Sequence, residues 1–97
     1  MMYLILLEYN LSLLPKDPEE RMKIIGPIME MGKKDLESGE LAMIGMSPDG
    51  RHSFVISNQD AKTIYMKTQI LAPYVRCKVK PMLSFDEAMD VLKEMQT

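Results

Sequence analysis

Apolar residues occupy both odd and even positions from Met2 to Tyr9, a pattern that predicts a strand covered on both faces and so central in its sheet. Residues 10–16 read as a loop with Leu13 and Leu14 tucked against the body. Asp17-Pro18-Glu19-Glu20 opens a helix: Asp can cap it, Pro is tolerated at its first position, and Glu20 stands where a capping-box acid belongs. Met22, Ile25, Met29, Gly32 and Leu36 recur at helical spacing and predict its buried stripe. Pro27 removes one internal hydrogen bond and should kink this helix, with Gly26 relieving the crowding. Ser38-Gly39 ends it.

Leu41–Met46 and Arg51–Ser57 read as two strands of a hairpin, because Ser47-Pro48-Asp49-Gly50 between them combines a preset proline with a permissive glycine. The second of these strands alternates, with His52, Phe54 and Ile56 on one side and Arg51, Ser53, Val55 and Ser57 on the other. Its bulkier set is expected to face the core. Residues 57–60 cap a second helix that runs to about Leu71, with Ala61, Ile64, Thr68 and Leu71 as its main stripe and Met66 and Ile70 as a second apolar edge. Pro73 stops it. Val75–Leu83 is the fourth strand, with Val75, Cys77 and Val79 opposite Arg76, Lys78 and Lys80; three cations and Pro81 suit an edge strand protected from stray pairing. Ser84-Phe85-Asp86-Glu87 is a capping box for a last helix whose apolar face is Phe85, Ala88, Leu92 and Met95.

The order of elements, βαββαβ plus an extra C-terminal helix, predicts an α+β fold of ferredoxin-like sandwich type, one domain spanning residues 1–97. Right-handed crossovers place the strands in the order four, one, three, two, each antiparallel to its neighbours. Both crossover helices cover one face. The other face carries too many apolar residues to stand in water, so a partner should cover it. The simplest is a second copy, sheet against sheet, closing a dimeric α+β barrel.

Charge and composition narrow the classes. Fourteen acids against twelve bases leave a net charge of −2, and no basic block stands out, which argues against nucleic acid. The opening apolar run is far short of a membrane span of roughly 20 residues and lacks a basic leader region, so no membrane association is expected. A single cysteine, Cys77, excludes an internal disulfide and points to a reducing, cytoplasmic setting. Eleven methionines suit core gaps, a cavity or an adaptable interface. The glycines are isolated and no His, Cys or acid spacing suits a metal, so neither cofactor nor metal is expected.

Antiparallel order brings the end of the first strand, Glu8 and Tyr9, beside the starts of the third, Arg51 and His52, and of the fourth, Arg76 and Cys77. Strand parity puts Arg51, Arg76 and Lys78 on the open face and turns His52 toward the helices. Arg51 and Arg76 could grip an acidic ligand, since guanidinium matches carboxylate with two parallel hydrogen bonds, or they could simply pair with Glu8. Glu8 and His52 are the candidate proton carriers; a hydrogen-bonded strand-end histidine is the plainer alternative. Tyr9 could donate a hydrogen bond into a pocket or anchor the core edge, as could Tyr74. Cys77 is a nucleophile only if exposed beside cations, and otherwise a small buried apolar residue.

Tyr3-Leu4-Ile5, Asn10-Leu11, the Asp17–Glu20 helix start, Leu36-Glu37-Ser38-Gly39-Glu40-Leu41, Ala72-Pro73-Tyr74 and Val79-Lys80-Pro81-Met82 occur in an order that resembles the muconolactone isomerase-like proteins, members of the dimeric α+β barrel superfamily. The likeness covers residues 1–83. It implies a sheet-to-sheet homodimer or larger ring, a pocket for a small acidic, lactone-like molecule, and proton transfer without a cofactor. The isomerases carry tryptophan and histidine in the hairpin region, where this chain offers Met43, Gly45 and Met46, so no catalytic residue carries over. Three functions follow as expectations: a module that binds a small organic, possibly acidic, molecule on the open sheet face; a cofactor-independent isomerase using Glu8 and His52; or an assembly protein without a ligand.

Overall fold

The structure, a computed structural model, describes residues 2–96. Along them run β1 (Met2–Tyr9), a 3-10 turn (Leu11–Leu13), α1 (Pro18–Ser38), β2 (Leu41–Met46), β3 (His52–Ser57), α2 (Ala61–Leu71), β4 (Val75–Met82) and α3 (Phe85–Met95). The strands form one antiparallel sheet in the order β2-β3-β1-β4. This is the order expected for a ferredoxin-like α+β sandwich, with β1 in the interior and β4 at an edge. Caps fix the helix starts: the side chains of Asp17, Asp60 and Ser84 accept from the backbone N–H groups of Glu20, Thr63 and Glu87. Gly39, at φ +82°, takes the left-handed conformation that ends α1, where a side chain would be strained.

Register decides the faces, because residues directly opposite on paired strands share one. Leu4 lies between Ile56 and Lys80, Leu6 between Phe54 and Lys78, and Glu8 between His52 and Arg76. These residues form the open face. Ile5, Leu7, Val55, Val75 and Cys77 face the helices, where Ile5, Leu41, Val55 and Ile64 make the buried core with Tyr3, Leu7, Ile44 and Cys77 packed around it. α1 packs on β2 and α2 on β4.

The structure corrects the expected facing of β3 first. The side of β3 that faces the helices is Ser53, Val55 and Ser57, all buried, whereas His52, Phe54 and Ile56 lie on the open face. Two contacts explain the inversion. The Phe54 ring lies over Gly45 of β2, so close that a Cβ there would fall 2.1 Å from a ring carbon. On the other side Ser57, fully buried, uses its hydroxyl to accept from the Gln59 N–H at 3.1 Å.

The stripe of α1 is also rotated. Met22, Met29 and Leu36 are exposed, while Ile24, Ile25, Ile28, Met31 and Asp35 turn inward. Asp35 faces in because Lys67 of α2 reaches it to form an ion pair. Leu14 is buried in the loop after β1, but Leu13 is exposed. α1 continues through Pro27, β3 begins at His52, which leaves Arg51 in the turn, and β4 ends at Met82.

α3 leaves the two ends of its apolar stripe exposed, Phe85 at 79% and Met95 at 76%, while Ala88 and Met89 are half-buried. The molecule accordingly measures 61 × 24 × 22 Å. No helix of the described residues is long and apolar enough to cross a membrane.

Candidate functional site

The hairpin turn is a small hydrogen-bonded scaffold. The Ser47 hydroxyl donates to Asp49 Oδ1 at 2.6 Å, and the Arg51 N–H donates to the same oxygen at 3.0 Å. The His52 N–H donates to the Ser47 hydroxyl at 3.1 Å, and Gly50, at φ +73°, closes the turn through its N–H to the Ser47 carbonyl at 3.0 Å. The Ser47 hydroxyl and the Arg51 N–H, with smaller contributions from the His52 and Arg51 charges, hold the Asp49 carboxyl below the usual carboxylate range. The turn thus presents Arg51 and His52 in fixed backbone positions.

Two further segments are tied to it. The Tyr9 N–H donates to the Arg51 carbonyl at 3.0 Å, and the Asn10 N–H donates to the Tyr74 carbonyl at 2.8 Å. The end of β1 is thereby pinned between the start of β3 and the start of β4. Glu8, Tyr9, Leu11, Arg51, His52 and Arg76 line one recess of about 280 Å³ at this end of the sheet. The five residues singled out from the sequence therefore converge.

Their faces differ from expectation in one respect. His52 stands on the open face, directly across the strands from Glu8, and not toward the helices. Arg76 flanks Glu8 on the other side. Tyr9 shares strand parity with Ile5 and Leu7, and borders both this recess and an apolar groove beside Leu14, Ile25 and Met29 on the helix side. Among the described residues neither Arg51 nor Arg76 is within ion-pair distance of an acid, so the simple salt bridge to Glu8 does not form.

An apolar depression adjoins the recess. Leu6, Gly45, Phe54 and His52 line it, with a volume of about 310 Å³. His52 belongs to both hollows, so a bound molecule could set a charged group among the guanidiniums and an apolar body against Leu6 and Phe54. Residue bulk along β3 points Phe54 inward and so hides the apolar floor from the sequence; its one local signal is the single glycine of Met43–Met46, Gly45, opposite that aromatic. Between the helices and the sheet lies a smaller cavity of about 90 Å³, bounded by Ile5, Ile28, Val55 and Leu71. This is well under the roughly 300 Å³ at the low end of ligand pockets.

Cys77 lies opposite Leu7 on the helix side, half-buried, and burial pushes its thiol up from the ordinary cysteine value. It is therefore a packing residue rather than a nucleophile. Alkylation by iodoacetamide at pH 8 should be slower than that of a free cysteine, and should speed up when urea unfolds the chain; a rate equal to the free thiol in the folded protein would show that Cys77 is accessible and reactive.

Among the described residues no group of three or more His, Cys, Asp or Glu side chains is arranged to hold a metal ion. Compared with known proteins, the chain matches no protein-family model and no curated sequence.

Proposed function

We propose that the chain binds a small organic acid at the Glu8–Arg51–His52–Arg76 end of the open sheet face, as one half of a homodimeric α+β barrel. The observation that carries this reading is the convergence on one recess, beside an apolar floor, of two guanidiniums that form no ion pair among the described residues. Arg holds a carboxylate in a planar two-point grip, and each such charge-assisted hydrogen bond contributes about 1.5–3 kcal/mol. Leu6 and Phe54 take the apolar body of the ligand. A second copy covers the open face, which supports the dimer through its exposed Leu6 and Met43 beside Leu4, Phe54 and Ile56. The lone Cys77 suits a reducing, cytoplasmic setting.

Benzoate is the probe. Titration followed by calorimetry should give saturable binding at millimolar concentration or better, and an Arg51→Ala/Arg76→Ala variant should bind about a hundredfold more weakly with an unchanged melting temperature. Binding that survives both substitutions would remove the guanidiniums from the site.

A second reading, a cofactor-independent isomerase resembling the muconolactone isomerases, is favoured by one observation: Glu8 and His52 are direct cross-strand partners on the open face. A carboxylate and an imidazole in that relation can pass a proton across a bound lactone acid. Turnover of such a lactone should vanish in Glu8→Gln while benzoate binding persists; retained turnover would rule out Glu8 as the proton carrier.

A further inference from the structure

The recess at the end of the open face brings together charges of both signs. Arg51, His52 and Arg76 line it with Glu8, the one acid among its described lining residues. In the register Glu8 lies directly between His52 and Arg76, yet its carboxylate forms no ion pair among the described residues. Neighbouring polar groups are committed elsewhere. Asp49 accepts from the Ser47 hydroxyl and the Arg51 N–H, and the Asn10 side-chain oxygen accepts from the Ser12 hydroxyl. A cationic group entering the recess therefore meets Glu8 as its acceptor, and an anionic group meets the two guanidiniums.

This mixture bears on which acids fit. A ligand that carries only a carboxylate is drawn by Arg51 and Arg76 but repelled by Glu8. Glu8 stands opposite Arg76 on the next strand, where facing side chains are about 4.5–5.5 Å apart at Cβ. An ammonium group on the carbon beside the ligand's carboxylate reverses the repulsion, because the Glu8 carboxylate then accepts from it while the guanidiniums grip the acid. Direct cross-strand neighbours require ligand charges that are equally close. An α-amino acid meets that condition, and an ω-amino acid with a long spacer does not.

The rows of the open face define the rest of the ligand. Glu8, His52 and Arg76 make the first row; Leu6, flanked by Phe54 and Lys78, makes the next, two residues or about 6.7 Å along the strands. Lys78 bounds the β4 side of that row, and Leu6, Phe54 and Gly45 line the apolar depression on its other side. A benzyl or isobutyl side chain extends from the charged row toward this depression, whereas a methyl group stops short of it.

We infer that the recess is selective for an apolar α-amino acid, held with its carboxylate between Arg51 and Arg76, its ammonium on Glu8 and its side chain over Leu6 and Phe54. The inference rests on the acid-binding reading above and narrows it.

Calorimetric titration of the native chain with L-phenylalanine, 3-phenylpropanoate and phenethylamine tests it, because the three share a ring and differ in their charged groups. Phenylalanine should bind at least about tenfold more tightly than either of the others. Glu8 is exposed and glutamine matches its shape, so Glu8→Gln should keep the circular dichroism of the parent. In that variant the advantage of phenylalanine over 3-phenylpropanoate should shrink to about twofold or less. Equal affinity of the native chain for these two, or an advantage that persists in Glu8→Gln, would overturn the amino-acid inference and leave the acid-binding reading standing. Phenethylamine that binds as tightly as phenylalanine would also overturn it, since the guanidiniums would then contribute nothing. Failure of benzoate and of all three compounds to bind would overturn both.

Discussion

Lys67→Ala should lower the stability of the chain by about 2–3 kcal/mol, because it strands a carboxylate between helix and sheet. Lys67 and Asp35 form an ion pair with only 19% and 14% of their side chains exposed, bridging α2 to α1 across a distance of 32 residues in sequence. Glu40 stands 4.0 Å from the same ammonium, and its carboxylate accepts from the Gln59 side-chain amide at 3.0 Å. Both partners border the small cavity lined by Ile28, Ile64 and Leu71. Once the lysine is gone, Asp35 faces these apolar groups without compensation. Urea unfolding followed by circular dichroism should show the midpoint falling by about 1 M or more. Asp35→Leu together with Lys67→Leu should recover most of the loss, since a buried ion pair often contributes no more than well-packed apolar residues of similar size. A midpoint within error of the parent for Lys67→Ala would mean that solvent screens the pair and that the helices are held by packing alone.

Gly45→Ala should be the most damaging single-methyl addition in the sheet. A Cβ at Gly45 would meet three carbons of the Phe54 ring at 2.1, 2.6 and 2.9 Å. The backbone there has no positive φ, so alanine would otherwise be neutral or favourable in a strand. The cost is therefore the displacement of the ring, about 1–3 kcal/mol for an overpacked site. Thermal melting should register it, and Phe54→Ala in the same chain should leave the second substitution harmless. Because the ring also floors the depression beside His52, Gly45→Ala should weaken benzoate binding as well as stability. Equal melting temperatures for parent and variant would show that the ring is free to swing aside.

Much of the fold was legible because its signals are local. Asp17, Asp60 and Ser84 cap helices through groups three residues away, and the Ser47–Gly50 turn is closed by its own hydroxyl, carboxylate and glycine. The alternation of β4 was legible too, since three cations cannot share the covered side of a sheet with Val75. The gathering of Glu8, Tyr9, Arg51, His52 and Arg76 followed from antiparallel order alone, before any contact was known. What alternation does not say is which side of a strand faces inward. For β3, residue bulk pointed to Phe54 and Ile56 and was misleading.

The sequence by itself determined the order of elements, their caps and turns, the strand order and the end of the sheet at which Glu8, Arg51, His52 and Arg76 gather. Tertiary structure decided the facing of β3, the rotation of α1, the exposure of Phe85 and Met95 on α3 and the separation that leaves Arg51 and Arg76 without an ion pair among the described residues. These depend on groups far apart in the chain, such as the space above Gly45 that admits the Phe54 ring and the Asp35–Lys67 pair that turns α1. Propensity and periodicity act over a few residues, whereas packing space and charge pairing are properties of segments that only the folded chain brings together.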